Sequence, residues 1–130
     1  MEINVRLLEK KVDDRGFLFE VLRAEQVNAP FGQIFVSSVM PGKVKGNHFH
    51  KRKREWYLAI RGKVKVHFLD TKSGERKEII LDEKKPSIVE IPIGVSHAIT
   101  NEGKKEAVIL SYISESFNKD DPDTFEFKVV

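Results

Sequence analysis

The chain has 130 residues, four histidines, no cysteine and a formal charge of +3. That length suits one domain with a core that needs no disulfide, and without thiols there is no disulfide framework, thiolate nucleophile or thiolate metal site. The opening MEINVRLLEKKVDD has no sustained apolar run, so no leader or membrane span is expected and the cytoplasm is the default; the basic excess is too diffuse for nucleic acid but suits a phosphorylated small molecule.

Strand-like runs bounded by turn residues are predicted at 17–22, 33–40, 56–60, 63–69, 77–81, 87–91, 97–100, 107–113 and 124–129. Pro41-Gly42, Arg61-Gly62, Ser73-Gly74, Glu102-Gly103 and the cluster from Asp120 to Asp123 supply the turns, the last read as a charged lead-in to the final strand. If Glu55, Tyr57 and Ala59 face an interior, Trp56, Leu58 and Ile60 face outward, and such an apolar row needs cover. A second subunit is the simplest supplier, so a homodimer is expected. In KVKVHF the alternation turns Val64, Val66 and Phe68 inward and leaves His67 beside Lys63 and Lys65 as a solvated histidine. No helical period, repeat or linker interrupts this pattern. The fold class is therefore all-β, a sandwich or jelly-roll barrel.

Three of the four histidines fall into two spaced patterns. The first runs Gly42, five residues, His48-x-His50, four residues, Glu55, six residues, Gly62; the second is Pro92-x-Gly94-x-x-His97-x-x-x-Asn101. His48 and His50 share parity and so share a strand face. Imidazoles with one carboxylate suit a divalent metal: zinc first, with iron, nickel or manganese as alternatives. The run Lys51-Arg52-Lys53-Arg54 between His50 and Glu55 reads as a solvated loop, though at a barrel mouth it could meet a pyrophosphate.

These two patterns resemble the two cupin motifs, with Pro86 where the second usually begins with Gly. DDRGFLFEVLR, KGNHFH and IPIGVSHAI are similar to segments of the nucleotide-sugar epimerases and isomerases related to dTDP-4-dehydrorhamnose 3,5-epimerase. GNHFHKRKREWYLAIRGK, IPIGVSHAITNEG and SESFNKDDPDTFEFKV resemble the C-terminal cupin domain of CapF-type capsular-polysaccharide enzymes, whose reductase domain has no counterpart in these residues. The resemblance implies a double-stranded β-helix over residues 1–130, with 1–31 as a strand segment available for exchange in a dimer.

It also implies roles. His48 aligns with the epimerases' general base, Tyr112 with their acid, His97 with a sugar-site histidine and Arg15 with an arginine that contacts the nucleotide-sugar, often across subunits. Lys45 stands where they carry an arginine. His50 and Glu55, however, complete a cupin ligand set that those metal-free epimerases lack. A ring nitrogen on a metal cannot also be a free base, so His48 either ligates or abstracts a proton, and the complete set favours ligation. The implied activity is epimerisation or keto-isomerisation of a UDP- or dTDP-linked 4-keto-6-deoxyhexose in polysaccharide biosynthesis. The rival is a metal-binding cupin that only binds a sugar or small ligand, or an iron-dependent oxygenase using the same residues.

Overall fold

The structure is a computed structural model that describes residues 1–130. Strands β1 (Val5–Leu7), β2 (Lys11–Asp13) and β3 (Gly16–Leu18) precede a single helical turn, α1 (Ala24–Val27). Then follow β4 (Gln33–Val39), β5 (Val44–Phe49), β6 (Glu55–Arg61), β7 (Lys63–Asp70) and β8 (Arg76–Asp82). The chain closes with β9 (Ser87–Ile91), β10 (Val95–Thr100), β11 (Ala107–Ile113) and β12 (Phe125–Glu126). Two five-stranded antiparallel sheets face each other, β1-β9-β6-β11-β4 and β12-β5-β10-β7-β8, while β2 and β3 form a separate hairpin.

The alternating strands meet in the middle. Val64, Val66 and Phe68 from β7 interlock with Tyr57 and Ala59 from β6 and Ile109 from β11, within one cluster of 13 buried residues. Burial at about 25 cal/mol per Å² of apolar surface is the main force holding the sheets together. Among the strands of five residues or more, β5 is the one that periodicity does not announce, because Lys45, Gly46 and Asn47 interrupt its apolar pattern. Gly46 has φ +104, and a Cβ there would lie 2.7 Å from the His97 carbonyl oxygen. Only glycine lets β5 approach β10 so closely.

The outward row of β6 differs from expectation. Trp56 is 4 % and Leu58 1 % exposed, because Leu8, Phe19, Val21, Leu22, Val27 and Ala29 of the chain's own N-terminal segment lie over them. The cover comes in cis, and only Ile60 is left open. The run at 17–22 is correspondingly short: after Leu18 the chain turns through α1, whose Asn28 cap is left-handed, a helical turn that the sequence reading excluded. The last strand likewise shrinks from 124–129 to two residues. His67 shares the outer face with Lys65 but is not solvated; its ring bonds Thr100 Oγ1 at 2.8 Å and approaches Glu78 at 3.4 Å. No helix is long and apolar enough to cross a membrane.

Candidate metal centre and its cavity

The two sheets contribute opposite sides of one cluster. β5 carries His48 and ends just before His50, β10 carries His97, and Glu55 opens β6 on the facing sheet. His97 stands opposite His48 in the β10–β5 register, next to a bulge between His97 and Ala98. The nearest imidazole centroids, His48 and His97, are 4.8 Å apart, and one ligand atom from each of the four residues lies within 4.8 Å of the others. Glu55 Oε2 is 3.1 Å from His50 Nε2 and 3.5 Å from His97 Nε2.

Hydrogen bonds on the far side of two rings set their tautomers. His50 donates through Nδ1 to the Asp123 carbonyl at 2.7 Å, and His97 donates through Nδ1 to the Val95 carbonyl at 3.1 Å. Carbonyls only accept, so in the neutral rings both Nε2 atoms carry the lone pair and can ligate a cation; without one, His50 Nε2 meets Glu55 only as a protonated donor, with both ring nitrogens carrying hydrogen. His97 Nε2 is the one buried side-chain nitrogen or oxygen without a hydrogen-bond partner. Leaving such an atom bare is costly, and a cation between it, Glu55 and the other rings would satisfy it. The donor set therefore fits a divalent metal held by His48, His50, Glu55 and His97.

Electrostatics agree with that fit. Burial, with His97 and His50 beside it, lowers His48 to about 4, so its ring is neutral at pH 7. Burial also lowers His50, but its contacts with Glu55 and the Asp123 carbonyl outweigh this and raise it overall. For Glu55 burial acts upward, yet the hydrogen bond from His50 and the nearby His97 and His50 rings hold it at about 2. An ionised carboxylate among imidazoles is the state a metal requires.

The cluster borders a cavity of about 670 Å³ whose walls include Lys45, Lys53, Tyr57, Phe35, Phe117 and Glu115. Lys45 is thus brought to the site as expected. Tyr112 is not. It faces the other side of β11, against Trp56 and Phe31, donating to the Pro30 carbonyl at 3.0 Å and accepting from Gly32 N–H at 3.3 Å. Arg15 is also distant from the cavity of its own chain; at the β2–β3 turn its side chain is 85 % exposed and pairs with Asp13.

The cavity's tyrosine is Tyr57. Burial and the neighbouring Glu55 charge push its phenol well above its ordinary range. Its shared parity with Glu55 was the signal for it. The basic run is solvated only in its first half: Lys51 and Arg52 are exposed, Lys51 over the Phe125 ring and Arg52 paired with Glu115 and Asp121, whereas Lys53 is buried with Nζ donating to the Pro122 carbonyl and half-buried Arg54 pairs with Glu90.

Two facing antiparallel sheets around a buried three-histidine, one-glutamate cluster define a cupin. The chain belongs to the polysaccharide biosynthesis C-terminal domain family, which matches residues 11–125. It is 33% identical over 117 residues to UDP-2-acetamido-2,6-β-L-arabino-hexul-4-ose reductase of Pseudomonas aeruginosa, covering 90% of this chain but only 30% of that protein. It is 31% identical over 127 residues to the spore coat polysaccharide biosynthesis protein SpsL of Bacillus subtilis, covering 93% of this chain and 84% of that one. Among solved structures, the capsular polysaccharide assembling protein CapF of Staphylococcus aureus superposes with a TM-score of 0.75 at 34% identity, over 94% of this chain and 34% of CapF. A dTDP-6-deoxy-D-glucose-3,5-epimerase from Legionella pneumophila shares the fold, with a TM-score of 0.82 at 18% identity over 95% of this chain and 71% of that one.

Proposed function

We propose that the chain is an isomerase of nucleotide-linked 4-keto-6-deoxyhexoses that moves a proton at the carbon beside the C4 ketone, in the making of surface polysaccharide. The observation that carries this reading is the convergence of His48, His50, Glu55 and His97 beside a cavity of about 670 Å³, roomy enough for a sugar. Family membership and relatives named for nucleotide-sugar and polysaccharide chemistry support it.

Removing the C3 proton leaves its electron pair as an enolate with charge on the C4 oxygen. A divalent metal bound by the four side chains, zinc first and iron, nickel or manganese after it, would supply Lewis acidity at that oxygen. Lys45 contributes positive charge to the cavity wall. His48 is neutral at pH 7 and suits ligation or proton abstraction; with its ring free it takes the C3 proton, and with its ring on the metal, as the complete ligand set favours, the proton passes to solvent in the cavity. Tyr57 takes the role of acid, because its phenol stays protonated beside Glu55. A proton returned to the opposite face of C3 inverts that centre; one returned elsewhere on the enediol moves the ketone.

The test is solvent exchange. UDP- and dTDP-4-keto-6-deoxyhexoses incubated with metal-replete protein in D₂O are expected to gain deuterium at C3, whatever the net conversion. If no sugar of either nucleotide series exchanges, the isomerase reading is lost, and tight binding without turnover would establish a binding module in its place.

A further inference from the structure

The 120–123 turn contains one carboxylate that has left the solvent: Asp123 is 3 % exposed. Its φ is 48°, in the left-handed region that a non-glycine residue adopts at a cost. Its carboxylate accepts the backbone N–H groups of Lys51 at 3.0 Å, Arg52 at 2.9 Å and Lys53 at 2.9 Å. Its carbonyl oxygen accepts Nδ1–H of His50 at 2.7 Å.

The three amides belong to the connection that separates His50 from Glu55. One residue from the far end of the chain therefore holds both a ligand ring and the loop that spaces this ligand from the next. Tying the loop alone needs only the carboxylate. The left-handed backbone and the carbonyl bond act in addition on the ring itself.

We infer that Asp123 is a positioning residue of the metal centre: it locks the His50 imidazole with Nδ1 protonated and Nε2 turned toward Glu55, and it fixes the His50-to-Glu55 spacing. The inference rests on the metal reading of the four-residue cluster. Partners of this kind outside the ligand set typically hold 10–100-fold in metal affinity.

The experiment compares the full-length wild type with Asp123→Ala and Asp123→Asn. Zinc affinity is measured by competition with a chromophoric chelator, under conditions where each metal-free protein is folded. Ring ¹⁵N spectra at alkaline pH read the His50 tautomer. Asp123→Ala keeps the backbone carbonyl but frees the turn from the Lys51, Arg52 and Lys53 amides, so that carbonyl no longer stays aimed at the ring; the variant is expected to bind zinc about 10–100-fold more weakly, with His50 losing its single Nδ1–H tautomer. Asp123→Asn, which keeps one acceptor oxygen, is expected to fall between. A purely structural role would lower the melting temperature of the metal-free protein and leave both readouts unmoved.

Wild-type zinc binding with an Asp123→Ala affinity within about twofold of it overturns the inference alone. A wild type that takes up no zinc overturns the metal reading and this inference with it. The wild-type ring spectrum requires no variant, so should Asp123→Ala fail to fold, a His50 protonated at Nε2 in the wild type still overturns the assignment.

Discussion

Tyr57 and Tyr112 lie one register step apart on paired strands and face opposite sides of the same sheet. In the β6–β11 ladder Tyr57 stands across from Ser111 and Tyr112 across from Trp56. The first borders the histidine cluster, and the second is bonded to the loop at Pro30 and Gly32.

Phenylalanine at each position should therefore have unlike effects. Tyr57→Phe is expected to lower isomerisation by about 10²–10⁴-fold, the usual range for a positioned proton donor, with little change in melting temperature. Tyr112→Phe should leave turnover nearly intact and cost about 1 kcal/mol of stability through its lost hydrogen bonds. Turnover rates and thermal melts of the two variants check both; an inactive Tyr112→Phe beside an active Tyr57→Phe would reverse the assignment.

Protein purified without chelator is expected to carry near-stoichiometric divalent metal by elemental analysis. Chelation should lower the melting temperature, since it removes a ligand that only the folded protein binds and leaves His97 Nε2 buried without a partner. His50→Ala should lose the metal. Full metal content in a His48→Ala/His50→Ala double variant would rule out this ligand set.

In metal-free protein the His48 ring should titrate near pH 4, against an ordinary value of 6.5. The depressed value means that the unfolded chain binds this proton first as pH falls. The His48 contribution to stability is thus complete above pH 6.5 and lost between there and about 4. Glu55, held at about 2, loses its own contribution between its ordinary value of 4.5 and about 2, while His50, raised, contributes with the opposite sign, most below its unfolded value and less as pH rises. NMR titration of the wild type gives the His48 value. Melting curves of metal-free wild type and His48→Gln should converge as pH falls from neutrality toward 4; parallel curves would count against the shift.

The homodimer needs a ground other than the Trp56 row, which is already covered. β4 supplies one: it is the free edge of its sheet, with Ile34 56 % and Val36 59 % exposed on its outer face. An unpaired apolar edge favours association. Light scattering of wild type should give a dimer at micromolar concentration, and Val36→Glu should shift it toward monomer. A monomeric wild type would remove the expectation.

Much of this was legible from residue order. Ser87–Ile91 and Ala107–Ile113 match the predicted runs residue for residue, because alternation and flanking turns mark them plainly. The four clustered side chains were visible by spacing, since His48, His50 and Glu55 are close in sequence and bring their own geometry. The N-terminal cover was not visible. Its strands are three residues long, too short for any period, and only tertiary packing reveals what they lie on. Likeness to a family pointed to Tyr112, which lies outside the cavity; parity with Glu55 put Tyr57 on the inner face, but no motif marked that tyrosine for a role. Asp123 read as one more charge in an acidic turn, because its partners are about 70 positions away.

The basic run looks in the sequence like an anion trap, but its surroundings cancel it. Lys51, Arg52, Lys53 and Arg54 carry four positive charges, and the carboxylates bonded to their side chains or amides, Glu90, Glu115, Asp121 and Asp123, carry four negative ones. The assembly is formally neutral, so it neither steers an anionic ligand from a distance nor gathers one from dilute solution. Capture of a nucleotide-sugar should accordingly proceed at an ordinary rate that added salt barely changes, with discrimination arising from fit inside the cavity.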